Sequence, residues 1–159
     1  MGVARTVYLE TSIISYLVAR PSRDLVTAAR QELTREWWAV RRTLFDVYVS
    51  EAVIAEARAG DSDAAARRLA ILADLPLLEV TPDVTQLATA LAKALRLPKQ
   101  TAADAVHVAT AACHGIEFLL TWNSTHIANA ELRPTIDDVS RNSGYTPPIL
   151  CTPDELMGG

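Results

Sequence analysis

The chain has 159 residues, half of them hydrophobic and 21% charged, enough to bury a core without metals or disulfides and too apolar for a disordered segment. Its formal net charge of -4 argues against a general nucleic-acid coat protein, which would be basic, and no apolar run approaches the ~20 residues that a membrane-spanning helix needs. The opening MGVARTVYLE has no charged segment followed by an apolar core, so no export signal is read, a cytoplasmic location is expected, and Cys113 and Cys151 are expected as buried reduced thiols.

In chain order, RTVYLE is a run of strand formers without clean alternation, the pattern of a strand covered on both faces. It ends at Glu10, and TSIISYLVAR can begin a helix at once with Thr11 or Ser12 as cap. PSRD is a loop that restarts a long helix over residues 25–42. Trp37 and Trp38 within it cannot both face one side, which leaves one indole for a partner or an interface. FDVYVS reads as a second strand, and Ser50 caps the helix EAVIAEARAG, with Glu51 in its first turn and Gly60 at its end. DSDAAARRLAILADLP is a further helix and LLEV a third short strand. Thr81 and Pro82 start TPDVTQLATALAKALRL, which Pro98 breaks. KQTAADAVHVATAACHG is an alanine-rich helix stopped by Gly115, EFLLTW a fourth strand, residues 123–144 loop and helix, and PPILCT a fifth strand.

Strands alternating with helices imply a three-layer α/β/α fold, with a doubly wound, mainly parallel sheet of about five strands. No repeat, low-complexity tract or linker divides the chain, so residues 1–159 are read as one domain. Six arginines fall between Arg20 and Arg42. They form either a solvated helix face or a local patch that holds phosphates beside an acidic centre.

In open parallel sheets the site lies beyond the carboxyl ends of the strands, where strand order reverses. Glu10 ends the first strand and Asn123 follows the fourth. Glu56 lies in the second turn of the helix after strand two, and Asp104 near the start of the alanine-rich helix, with His107 one turn on. A helix-start acid is commonly a dipole effect, so each carboxylate alone says little. Converging, they would repel one another unless a cation sat between them. Oxygen ligands suit magnesium or manganese, which activate water and neutralise phosphodiester charge. Zinc fits less well, because no cysteine or histidine pair has ligand spacing. A nucleotide-binding fold is disfavoured because no glycine-rich loop follows the first strand.

VYLETSIISYL, VYVSEAVIAEARAGD, ADAVHVATAACHGIEFLLTWNSTHIANA and GYTPPILCTPDELMG, taken as an ordered set over nearly the whole chain, resemble the PIN-domain family, and most closely its VapC-like toxin ribonucleases from bacterial toxin–antitoxin pairs. The resemblance implies a Mg2+- or Mn2+-dependent ribonuclease acting on RNA, a cognate antitoxin protein as partner, and a homodimer. By position the family's acids fall on Glu10, Glu56, Asp104 and Asn123, the first three as metal ligands. Glu56 is preferred to Glu51, which reads as a first-turn dipole residue. Two departures stand out: glutamate at position 10 where most members carry aspartate, and a neutral amide at position 123, which removes one charge and weakens a second metal. Thr11, Ser12, His107, Thr121, His126, Arg20 and Arg23 are read as supporting or substrate-contacting residues. The alternative reading is a degenerate PIN module that binds RNA or a protein without cutting.

Overall fold

The structure is a computed structural model that describes residues 5–159; the first four residues of the segment read as lacking an export signal lie outside the described residues. β1 (Arg5–Leu9), β2 (Phe45–Ser50), β3 (Leu77–Leu78), β4 (Phe118–Leu120) and β5 (Ile149–Cys151) form a parallel sheet in the order β3-β2-β1-β4-β5. Val7, Tyr8 and Leu9 of the central strand are fully buried, and Val7 sits in register with Val47 on one side and Phe118 on the other. A strand buried on both faces has no polar face to alternate, which is why its sequence reads as a continuous apolar run.

Seven α-helices connect the strands: α1 (Thr11–Val18), α2 (Leu25–Glu36), α3 (Glu51–Ala57), α4 (Ser62–Leu72), α5 (Pro82–Ala94), α6 (Ala103–Cys113) and α7 (Arg133–Asn142). The chain leaves β1 towards β2 and β3, then returns past it to β4 and β5. Right-handed crossovers therefore place α1 to α4 on one face and α5 to α7 on the other, and the helices pack in those two groups. The exception is α3 with α6, which meet across the strand ends from opposite layers. This is the doubly wound α/β architecture expected from the sequence.

Local signals explain most element ends. Ser50 accepts from the Val53 amide at 3.4 Å and Thr81 from the Val84 amide at 3.3 Å, each capping the helix it precedes. Gly115, at φ +69°, closes α6 with a bond from the Ile116 amide to Ala111 O at 2.9 Å, a left-handed turn that a side chain would strain. Elsewhere the elements are shorter than the periodicity predicts. The helix expected over residues 25–42 stops at Glu36 and continues as a π-helical turn, Trp37–Arg41, and a 3-10 turn, Arg42–Leu44. The wider turn re-aims two adjacent indoles. Trp37 is driven fully into the core against Phe45, whereas Trp38 is partly covered by the Arg42 guanidinium at 4.0 Å. α3 ends at Ala57, ahead of Gly60, because Arg68 takes the carbonyls of Ala57 and Ala59 at 3.1 and 2.6 Å. Both cysteines are free thiols. Burial pushes Cys151 up to about 12 and raises half-buried Cys113 as well, so neither is a reactive thiolate at neutral pH.

Candidate active site

Strand order reverses at β1, so a crevice opens between the carboxyl ends of β1 and β4. Glu10 stands at its floor. Its amide extends the ladder to Leu120 O at 3.0 Å, and its side chain is only 6% exposed. Glu10 Oε1 accepts the hydroxyls of Ser12 and Thr121, both at 2.5 Å. Ser12 Oγ in turn accepts the Trp122 amide at 2.8 Å, and Thr121 Oγ1 accepts the Asn123 amide at 2.9 Å. The start of α1 and the end of β4 are thus tied through one carboxylate oxygen. Thr11 and Ser12 do not cap α1: the cap position is Glu10, and both hydroxyls are spent on carboxylates.

Glu56 reaches the same crevice from α3. Its Oε1 accepts the Thr11 hydroxyl at 2.7 Å and is paired with His107 Nε2 from α6. Burial alone would raise the Glu56 pKa, but the hydrogen bond and charge of His107, with Thr11 assisting, outweigh it and hold the carboxyl below its usual range. Burial would likewise depress His107. Its bond to Glu56 and the negative charges of Glu56, Glu10 and Asp104 reverse that and raise it. The other ring nitrogen, Nδ1, meets the Tyr8 hydroxyl at 2.6 Å, and Tyr8 meets Ser50 Oγ at 2.7 Å. Burial keeps the Tyr8 phenol far above the usual tyrosine range, against the lowering effect of Ser50 and with the nearby carboxylates adding to it.

Asp104, in the first turn of α6, accepts from His126 Nδ1 at 2.8 Å. Asn123 turns its side-chain oxygen to the His126 amide at 3.0 Å, closing the turn after β4. Asn123 therefore reaches Glu10 only through its own amide and the Thr121 hydroxyl.

The Glu10 and Glu56 carboxylates fit a hard divalent cation, and Asp104 stands in the neighbouring pair with His126, outside their group. Each of three carboxylates has one oxygen held by protein donors, while Glu10 Oε2, Glu56 Oε2 and Asp104 Oδ1 have no hydrogen-bond partner among the described residues. Ligand atoms of Glu10, Glu56 and His107 lie within 4.8 Å of one another. Oriented, half-satisfied carboxylates of this kind are what magnesium or manganese takes.

The PIN domain family model matches residues 7–131. The chain belongs to the PIN domain family. No curated protein matches it significantly. Among solved structures, the PIN domain is similar to VapC20 of Mycobacterium tuberculosis, described as a sarcin-ricin loop cleaving toxin. That match has a TM-score of 0.57 and 19% identity, covering 90% of this chain and 100% of that one. VapBC2 of Rickettsia felis, bound to a DNA fragment from its promoter, matches with a TM-score of 0.55 and 15% identity over 92% and 98% of the two chains. A toxin–antitoxin complex from Klebsiella pneumoniae matches with a TM-score of 0.53 and 18% identity over 79% and 92%. At these identities the likeness is one of fold.

Of the residues singled out in the sequence, this PIN domain brings Glu10, Glu56 and His107 into one cluster, with Thr11, Ser12 and Thr121 holding the carboxylates. Asp104 and His126 form a second pair whose charge is felt at His107. Arg20 and Arg23 are exposed. Other arginines of that stretch are occupied: Arg30 lies 5.3 Å over Trp122, Arg35 bonds Ala19 O at 3.1 Å, and Arg41 bonds Leu156 O at 3.3 Å. Sequence reasoning had no place for Tyr8 and Ser50 as polar groups beneath the site. The available signal was spacing alone, since Tyr8 stands two residues before Glu10 and so shares its side of the strand.

Proposed function

We propose that this PIN domain is a metal-dependent endoribonuclease that hydrolyses RNA phosphodiester bonds and serves as the toxin of a type II toxin–antitoxin pair. Residues 1–159 are taken as a single PIN-like domain. What carries the reading is the set of free carboxylate oxygens on Glu10, Glu56 and Asp104, beside the strand-order reversal of a PIN fold. Held by these three residues with Asn123 assisting, Mg2+ or Mn2+ would supply Lewis acidity, easing deprotonation of the attacking water and offsetting phosphate charge.

The remaining work falls to the chain itself. Thr11, Ser12 and Thr121 fix the carboxylates so that no reorganisation is needed on binding. His126, oriented through Nδ1 by Asp104, keeps Nε2 for a phosphate oxygen or a bridging water. The exposed Arg20 and Arg23 would position the RNA backbone without reading its sequence. A cognate antitoxin and a second copy of the chain are the expected protein partners. The Klebsiella pneumoniae structure similar in fold is a toxin–antitoxin complex. No described helix is long and apolar enough to cross a membrane, and the site of action proposed is the cytoplasm.

A second reading rests on Asn123, whose side-chain oxygen is committed to the His126 amide: a PIN module that binds RNA or protein without cutting. The deciding experiment incubates purified protein with a mixed RNA pool, with and without manganese, and sequences the new ends. Manganese-dependent ends absent from a Glu10→Gln control support the nuclease; RNA retention without new ends supports the module.

A further inference from the structure

Three polar side chains lie fully buried in a row beneath the site: Ser50, Tyr8 and His107. A fully bonded polar row at zero exposure is worth little more to stability than apolar groups of the same shape. This row ends on Glu56, the only member whose side chain reaches solvent, at 37% exposure. Its path also crosses α3 twice. Ser50 caps the first turn of that helix through the Val53 amide, and His107 grips Glu56 one turn further on.

The proton count gives the row a direction. With a neutral ring, Ser50 donates to Tyr8, Tyr8 donates to His107 Nδ1, and the Nε2 proton goes to Glu56 Oε1. A charged ring also carries its proton on Nε2. The remaining tautomer would set a ring lone pair against a carboxylate. In each favourable state Nε2 donates to Glu56 Oε1, so a cation would have to displace that bond to bind His107.

We propose that Ser50, Tyr8 and His107 form a positioning device that ties down Glu56 Oε1, leaves Oε2 free, and thereby sets the affinity of the cation site. This rests on the metal-dependent reading above and adds to it an assignment for His107: a residue that acts through Glu56, not a ligand.

The test measures Mn2+ binding by the electron paramagnetic resonance signal of the free ion, and Mg2+ by competition, for the full chain and three variants, with a melt of each. His107→Leu should weaken both cations by about 10- to 100-fold, the usual effect of losing a partner behind a ligand. His107→Gln, whose amide can donate where Nε2 stood, should stay near the parent, and Tyr8→Phe should fall between. His107→Leu binding both ions as the parent does, with only a lower melting temperature, would overturn the inference. So would a loss confined to Mn2+, which would mark His107 as a direct ligand. If His107→Leu does not fold, an unchanged affinity in folded Tyr8→Phe overturns it equally. A parent that binds neither ion defeats the metal-dependent reading itself, and the inference with it.

Discussion

Replacing Glu10 with glutamine separates the charge of the site from its hydrogen bonds. The amide oxygen can still accept from Ser12 and Thr121, so the half-buried and the buried hydroxyl both keep a partner. Bonds to a charged acceptor are worth roughly 1 kcal/mol more apiece than neutral ones, so the change costs about 2 kcal/mol. Against this, Glu10 and Glu56 offer ligand atoms within 4.8 Å of each other. At an effective dielectric of ~20 their repulsion is about 3 kcal/mol, and less on the solvent-facing side of Glu56. The two effects nearly cancel, so the metal-free melting temperature should move by no more than about 3 °C in a chain of this size. Glu10→Leu, by contrast, leaves two hydroxyls without an acceptor at about 1–3 kcal/mol each and should fall well below that. Cation at a hundred times its Kd should raise the parent's midpoint by the equivalent of about 2.7 kcal/mol, and most of that rise should vanish in Glu10→Gln. Melts in chelator and in manganese, run beside cleavage of an end-labelled RNA, measure all of this. A Glu10→Gln protein that cuts at the parental rate, or keeps the full metal-induced rise, refutes the reasoning.

Without metal, the Glu56–His107 pair should set a pH optimum for stability. A lowered carboxyl contributes above its unfolded value near 4.5, and a raised imidazole contributes below its own near 6.5. Metal-free melts should therefore peak between those values and decline towards pH 8, a decline that His107→Gln abolishes. Changing both Arg20 and Arg23 to alanine should flatten the salt dependence of RNA binding by about 1.4 in log–log slope if each meets one phosphate; an unchanged slope returns them to a solvated face. Asp104→Asn keeps an acceptor for His126 and should fold normally while cleavage drops by orders of magnitude. Asn123→Asp keeps the cap on the His126 amide and should cut as well or better when manganese is scarce; parental cleavage in Asp104→Asn removes that residue from the chemistry. Ser140, buried on α7 with no partner for its hydroxyl among the described residues, should stabilise the protein by about 1 kcal/mol when changed to alanine, read by denaturant melts.

What the sequence made legible follows from which interactions are local. Caps at Ser50 and Thr81, the glycine stop at residue 115 and the unbroken apolar run of β1 depend on neighbours within four residues, and each is where periodicity and capping rules put it. Thr11 and Ser12 obey the same local rule in sequence, yet Thr11 bonds Glu56 on α3 and Ser12 bonds Glu10 just ahead of its own helix, in place of the helix amides. His107 reads as the inner edge of a helix, and nothing near it in the chain announces Glu56, 51 residues away. The π-helical turn was equally hidden. It arises because Trp37 has a slot against Phe45, a tertiary fact with no helical period.

The bond from Thr121 to Glu10 spans 111 residues, and β1 lies between strands that arrive 40 and more than 100 residues later. A partly folded chain with β1, β2 and α3 in place would have Glu10 and Glu56 but neither Thr121 nor His107 to hold them. Closing so long a loop is slow, and its entropy is repaid only when the last contacts form. The centre is therefore complete only when both halves of the chain are in place, and a half-assembled copy lacks the groups that hold its acids. For a protein whose proposed activity is to cut RNA, this couples potency to completeness of the fold.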